Sequence, residues 1–203
     1  MQSWSGRSRR VGGRRGFAKA AALLFLVAAA CYRPPAPPPP APASLPPEDI
    51  EYLEKHPLMV PVEGVRPDQI RDSFYEARDG QRTHLATDIM APRGTPVLSV
   101  SAGRVIRMAQ NTLGGITVYT LDESGKFVYY YAHLERYSDA VTVGLELEPG
   151  DMLGYVGTSG NAPPNTPHLH FQAMKVRSGN KPWWSGTPVD VRPFFRIEGK
   201  RGR

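Results

Sequence analysis

The most informative stretch for the fold is Thr166-Pro167-His168-Leu169-His170-Phe171. Side chains two residues apart in a β-strand point to the same face, so His168 and His170 are expected to stand side by side. Leu169 and Phe171 would then face the opposite way, into a hydrophobic core. A strand with imidazoles on one face and apolar side chains on the other is typical of a strand that lines a functional site.

Short β-strand signals separated by Gly and Pro fill the chain from about residue 95 to residue 176. The strongest is a hairpin of residues 115–121 and 127–132, which flank the turn Asp122-Glu123-Ser124-Gly125. We therefore predict a mainly β fold, a compact antiparallel β-sheet or sandwich domain with an open groove. A short N-terminal helix is predicted over residues 48–55, because acidic residues occupy its first turn.

The composition divides the chain into five segments. We predict a signal peptide at 1–30, a Pro-rich linker at 31–47, a short helical arm at 48–57, the β domain at 58–198 and a basic tail at 199–203. The linker holds nine of the 21 prolines, so it is expected to form an extended spacer of roughly 40 Å.

Export is indicated by an arginine-rich start followed by an apolar run at residues 20–30. This run is too short to span a bilayer and has the length of a signal-peptide core. The segment at residues 14–19 resembles the twin-arginine export pattern, and general secretion is the alternative. The six basic residues within residues 1–30 also account for the net charge of +6, since the remaining 19 basic residues balance 19 acidic ones. We therefore expect no nucleic-acid binding.

Cys31 is the only cysteine, so no intramolecular disulfide is possible. The sequence Val27-Ala28-Ala29-Ala30-Cys31 resembles a bacterial lipobox, in which the cysteine is lipidated. We therefore predict a lipid anchor at Cys31. The alternative is an ordinary signal peptide in which the cysteine is incidental.

Metal-ligand chemistry is indicated by His84 and Asp88, which lie four residues apart. In extended backbone this even separation places both side chains on one face. One imidazole, one carboxylate and a second imidazole from elsewhere make a three-ligand site with a fourth position open, the pattern of catalytic zinc. A His-x-x-x-Asp pair alone is more often a surface pair, and His133 alone is equally well a hydrogen-bonded histidine at a strand end.

Together these elements resemble the lysostaphin/LytM-type zinc metalloendopeptidases, which cut peptide bonds in bacterial peptidoglycan and have a duplicated-hybrid-motif-like fold. The resemblance covers about residues 60–195. It rests on residues 84–97 (family His-x-Gly-x-Asp, then Ala-Pro-x-Gly-Thr-Pro-Val), Ser101-Ala102-Gly103-Arg104-Val105, Tyr131-Ala132-His133-Leu134, and Gly157-Thr158-Ser159-Gly160-Asn161 leading to His168-Leu169-His170-Phe171.

The resemblance implies that His84, Asp88 and His170 ligate one Zn²⁺ ion. It implies that His133 and His168 flank the open coordination position, where they orient or deprotonate the metal-bound water and stabilise the oxyanion. The division of general-base work between these two histidines stays open.

Two positions depart from the family pattern. Ala86 replaces the glycine of His-x-Gly-x-Asp, where a methyl group would narrow the backbone approach near the metal without removing a ligand. Gln172 stands where a glutamate is frequent, which would alter a contact behind the ligands.

The predicted function is therefore zinc-dependent hydrolysis of cross-links or stem peptides in peptidoglycan. We expect an exported monomer in the cell envelope, anchored to a membrane and facing the periplasm, with a secreted enzyme as the alternative. A rival of another class is a non-catalytic peptidoglycan-binding or amidase-activating module of the same fold.

Three segments are candidates to shape the groove. The loop at residues 110–114 is a candidate wall, and Trp183 and Trp184 either contact substrate or pack at the domain edge. The N-terminal helix and the arm through Arg78 are candidates to cover the groove.

Overall fold

The β signals of the sequence become thirteen strands in the part of the chain that the structure describes. The computed structural model describes residues 45–78, 82–177 and 186–196. Its elements in chain order are α1 (Pro47–Lys55), β1 (Leu58–Met59), β2 (Ala77–Arg78), β3 (Arg82–Thr83), β4 (Thr87–Met90), β5 (Pro96–Leu98), β6 (Gly103–Asn111), β7 (Gly115–Asp122), β8 (Phe127–Tyr137), β9 (Glu146–Leu147), β10 (Met152–Val156), β11 (His168–Lys175), β12 (Thr187–Val189) and β13 (Phe195–Arg196), with 3₁₀ turns at Pro67–Gln69 and Arg192–Phe194.

Nine of these strands form one antiparallel sheet. Its main path runs β12-β11-β8-β7-β6-β9, with β4 beside β11 and β10 beside both β5 and β8. The predicted hairpin is present as β7 and β8. Two smaller pairs complete the set, parallel β1–β13 and antiparallel β2–β3. The prediction of a mainly β, antiparallel domain with a short N-terminal helix is confirmed.

The core follows from the alternation that the sequence predicts for β11. Leu169 and Phe171 are buried on the core face, where the Phe171 ring packs edge-on against Tyr131 of β8 with centroids 5.3 Å apart. Tyr129 extends this layer beside Phe171. Burial of aromatic side chains on one face leaves the other face of β8 and β11 for polar chemistry.

Helix α1 begins at Pro47, one residue before the predicted start, because proline is tolerated in the first helical turn. It docks through fully buried Leu53 and through the Asp49 carboxylate, which pairs with Lys175 and lies 3.7 Å from Nζ of Lys126. Lys175 lies five residues beyond His170 on β11, roughly 17 Å at about 3.3 Å per residue. The helix therefore packs at the far end of the strand, and its candidate role as a cover for the groove is wrong.

Several predicted segments lie outside the described residues. They are the signal peptide, Cys31, most of the Pro-rich linker, the tryptophan pair Trp183 and Trp184, and the basic tail. In the three described ranges, no helix has the length and apolar character needed to cross a membrane.

Candidate metal centre

Asp88 and His170 face each other across β4 and β11. The antiparallel register sets Asp88 opposite His170 and Ile89 opposite Leu169. Oδ1 of Asp88 lies 3.0 Å from Nδ1 of His170, while Ile89 and Leu169 are buried in the core. Strand pairing therefore delivers one carboxylate and one imidazole to the same face of the sheet.

His84 reaches the same point from the link between β3 and β4. Its Nε2 lies 3.1 Å from Oδ1 of Asp88 and 3.1 Å from Nδ1 of His170. The structure thus brings together the three side chains for which metal ligation was predicted, with their ligand atoms all within 4.8 Å of one another.

The route from His84 to Asp88 differs from the predicted extended path. Leu85 has φ 53°, in the left-handed region that is costly for residues other than glycine. Two backbone hydrogen bonds hold this kink, from His84 N–H to the Glu76 carbonyl (2.8 Å) and from Leu85 N–H to the Phe74 carbonyl (2.7 Å). The expectation of uninterrupted strand between His84 and Asp88 is therefore wrong, because β4 begins only at Thr87.

The three ligand atoms have the spacing of one face of a tetrahedron. Ligand atoms about 2.1 Å from a tetrahedral Zn²⁺ lie about 3.4 Å apart, close to the 3.0–3.1 Å separations here. Lone pairs at such distances repel unless a proton or a cation lies among them. Two imidazole nitrogens and a carboxylate oxygen are also donors that zinc accepts, so the residues fit the metal.

Backbone carbonyls fix the ring orientation of three of the four histidines of the site. A carbonyl oxygen only accepts, so the nitrogen facing it carries a proton, and in the neutral ring the other nitrogen, Nε2, holds the lone pair. His170 differs, since its Nδ1 faces Asp88. The three bonds run from Nδ1 of His84 to Ser73 (2.9 Å), from Nδ1 of His133 to Ser159 (2.8 Å) and from Nδ1 of His168 to Thr166 (2.8 Å).

A β-bulge turns His133 toward the ligand cluster. Strict alternation along β8 would place His133 on the core face with Tyr129 and Tyr131. The β7–β8 register shifts between Ile116 and Val118, which inserts one additional residue in β8, and His133 has φ 60°. Bulges next to active sites re-aim side chains in this way.

Two turns pack together to support the bulge. Gly160 has φ 75°, and a Cβ atom there would lie only 2.3 Å from the backbone nitrogen of Gly115. The His133 N–H donates to the Gly114 carbonyl (2.8 Å) in the same turn. The predicted glycine turn at residues 157–161 is therefore a packing element that holds a histidine in place.

His168 is the second imidazole beside the ligand cluster. Its ring centroid lies 5.0 Å from that of His133, and its Nε2 lies 3.9 Å from Oδ1 of Asp88. His168 and His170 share the face that strand alternation predicts. Of these two rings, only His170 is within hydrogen-bonding distance of the Asp88 carboxylate. The two imidazoles therefore have different surroundings.

Electrostatics favour the charge states that metal binding requires. Burial raises the pKa of Asp88, but hydrogen bonds with His170 and His84 outweigh it and hold that pKa well below its usual range. Burial lowers the pKa of His133 to about 4, and burial also lowers the pKa of His170. Near neutral pH the site therefore contains an ionised carboxylate and neutral imidazoles at His133 and His170.

A cavity of about 460 Å³ opens in front of the cluster, within the size range of ligand pockets. His133 and His168 line it, as do Leu113 and Gly114 of the predicted wall loop. Ala86 is buried and is not among the lining residues, so its methyl group does not narrow the cavity.

Sequence reasoning placed Arg78 only in a covering arm, whereas its guanidinium lies in the ligand cluster. Nη2 of Arg78 donates to Oδ2 of Asp88 and lies 3.1 Å from Nε2 of His84. Nothing in the local sequence signals this contact, because it depends on the long-range placement of β2. Tyr130, which lines the cavity beside His170, was missed for the same reason.

Gln172 supports the kink at Leu85 by donating from Nε2 to the Leu85 carbonyl (2.9 Å). A glutamate carboxylate has no proton to donate near neutral pH and would repel that carbonyl. The departure from the family pattern therefore has a structural reason in this chain.

We predict that Gln172→Glu weakens zinc binding about 10-fold or more, because it loosens the turn that positions His84. Competition with a chromogenic chelator measures the affinity. The matched control is Gln69→Glu, an exposed site where the side-chain oxygen accepts from the Arg66 N–H and a carboxylate preserves that bond. Equal affinities of Gln172→Glu and the unaltered protein would contradict this role.

A family model and individual relatives match the same part of this chain. The model of peptidase family M23 matches residues 82–190, more than half of the 203-residue chain. The L-Ala–D-Glu endopeptidase of Bacillus subtilis is 34% identical over 135 residues, which are 63% of this chain and 41% of that protein. Lysostaphin of Staphylococcus simulans is 31% identical over 117 residues, 57% of this chain and 22% of that protein. The chain thus spans less than half the length of these relatives.

The fold is also similar to that of a solved structure. The solved structure of Helicobacter pylori Csd3 superimposes with a TM-score of 0.54 and 25% identity, covering 70% of this chain and 36% of that one. All five histidine and aspartate residues of the centre fall within the matched range of the family. The chain therefore belongs to peptidase family M23.

Proposed function

We propose that this protein is a zinc-dependent endopeptidase that hydrolyses peptide bonds in bacterial peptidoglycan, in cross-links or stem peptides. The observation that carries the proposal is the convergence of His84, Asp88 and His170 beside two further imidazoles, all lining one cavity. The relatives support the substrate class, since the Bacillus subtilis protein is named for cleavage of an L-Ala–D-Glu bond.

His84, Asp88 and His170 would hold one Zn²⁺, which when bound lowers the pKa of a coordinated water to about 7 and polarises a carbonyl. His133 and His168 each keep an Nε2 lone pair, since their Nδ1–H groups donate to backbone carbonyls. Because burial lowers the pKa of His133 to about 4, this ring is neutral near pH 7 and its Nε2 lone pair is available to accept a hydrogen bond from the nucleophile.

The five residues therefore have different tasks in the proposal. Three would bind the metal. His133 or His168 would take up a proton at Nε2, and the Nε2–H formed in this way would donate to the negatively charged oxygen of the attacked carbonyl. The rival, a non-catalytic binding or activating module, needs neither the metal ligands nor the two further imidazoles beside them. Retention of all five in one cluster supports the enzyme.

We expect His170→Ala and Asp88→Ala to lose stoichiometric zinc and to lose hydrolysis of purified peptidoglycan by more than 100-fold, since each removes a ligand. His133→Ala should keep zinc and lose hydrolysis. Metal analysis and mass spectrometry of released fragments measure both properties. Ala86→Gly is the matched control and should keep both, because Ala86 contributes only its buried methyl group.

Hydrolysis by the His170→Ala protein would contradict the metal assignment. A purified protein that binds zinc but leaves peptidoglycan and defined muropeptides uncut would favour the non-catalytic module.

The location of the protein is part of the proposal. An exported chain with a lipid at Cys31 would place a monomeric β domain in the cell envelope, held off the membrane by the Pro-rich linker. The lipobox resemblance and the linker composition support this arrangement, and the substrate of the relatives requires an exported enzyme.

We predict that cells expressing the full chain incorporate radioactive palmitate into it, and that Cys31→Ser abolishes the label. The chain has one cysteine, so the variant removes the only thioether site. Ser44→Ala is a control within the same N-terminal region. An unlabelled protein found in the medium would contradict the anchor and favour the secreted alternative.

A further inference from the structure

The cavity in front of the ligand cluster is lined by more positive than negative side chains. Arg78 and Arg82 contribute two guanidinium groups. Among the described residues that line it, Asp88 is the only acid, and its carboxylate is committed to the ligand cluster. A divalent cation held there would add further positive charge, so a substrate that carries a carboxylate is the complementary partner.

The charges lie on one side of the cluster. Arg78 and Arg82 belong to the β2–β3 pair, which precedes His84 and β4 at one flank of the site. The opposite flank, beyond β8, presents Leu113, which is 58% exposed, together with Ala162. A peptide crossing the cluster therefore meets two guanidinium groups on one side and uncharged side chains on the other.

The position of Arg78 explains how this residue becomes available to a substrate. Its Nη2 donates to Oδ2 of Asp88 and lies 3.1 Å from Nε2 of His84, the ring nitrogen left as an acceptor because Nδ1–H donates to the Ser73 carbonyl. One lone pair serves either a guanidinium or a metal ion. A metal ion held by His84 would therefore replace this contact and leave Arg78 with its contact to Asp88.

In its present contacts, Arg78 also has one hydrogen-bond donor without an acceptor. Its Nε atom is buried without a hydrogen-bond partner in the described chain. An unpaired buried donor is unfavourable, whereas a guanidinium placed against a free carboxylate forms two parallel hydrogen bonds. Asp88 engages Nη2 of Arg78, so a substrate carboxylate would pair with the guanidinium donors that Asp88 leaves over and would replace the shared lone pair of His84.

We propose that Arg78, aided by the positive charge of Arg82, binds a carboxylate of the substrate peptide next to the scissile bond. The enzyme then selects acidic peptides over their amidated forms. This inference rests on the proposed endopeptidase function and names the substrate class of the same site.

The test compares one synthetic stem peptide in two forms, with its carboxylates free or converted singly to carboxamides. Zinc-loaded full-length protein should cleave the acidic form with a kcat/KM about 10- to 100-fold above that of one of the amides, as expected for a hydrogen-bonded charge pair. Arg78→Gln should bring this ratio close to 1. Arg78→Lys, which keeps the charge and loses the two-pronged geometry, should give an intermediate ratio.

The matched control is Arg66→Gln, which removes one positive charge from an exposed pair with Asp68 outside the cavity. It should keep the ratio of the unaltered protein. Zinc content of the Arg78 variants is a second readout and should stay stoichiometric, because Arg78 donates to the ligands and is not one of them.

The outcomes separate the two proposals. Equal cleavage of acidic and amidated peptides by the unaltered protein, an unchanged ratio in Arg78→Gln, or loss of zinc from Arg78→Gln would each overturn carboxylate recognition. Failure of the zinc-loaded protein to cleave either form, or purified peptidoglycan, would instead overturn the endopeptidase function. If Arg78→Gln does not fold, the ratio measured for the unaltered protein still decides.

Discussion

The antiparallel register between β4 and β11 is the constraint on which the site depends. It sets Asp88 opposite His170 and, on the other face, Ile89 opposite Leu169 in the core. A slip of one residue would turn the carboxylate into the core and a hydrophobic side chain onto the site. Burial of the apolar pair thus specifies the position of the polar pair, and the metal centre follows from the packing of the opposite face.

The remaining parts of the site depend on backbone that departs from regular strand. Leu85 and His133 are the residues other than glycine that have positive φ in the described chain, and each lies at or beside a site residue. Such conformations persist only where the surroundings enforce them. The Gln172 amide holds the first, and the packed glycine turns hold the second. Rigid support of this kind fixes the positions of the imidazole rings more accurately than free strand ends would.

Much of this could be predicted from the sequence, and the failures have two physical causes. Alternation at Leu169 and Phe171 predicts which face of β11 is core, and the motif order indicates all five site residues. Periodicity assumes regular backbone, so it gave an extended path through Leu85 and could not foresee the bulge at His133. The contact of Arg78 with Asp88 joins elements through tertiary packing, which leaves no mark in local spacing.

The central claim is that two imidazoles and a carboxylate of this chain hold zinc. X-ray absorption spectroscopy at the zinc edge, on purified zinc-loaded full-length protein, tests it most directly. We expect a nearest shell of nitrogen and oxygen alone at about 2.0–2.1 Å, with the multiple-scattering pattern of two imidazoles. A sulfur neighbour at about 2.3 Å, or a six-coordinate shell of oxygen without imidazole, would contradict it.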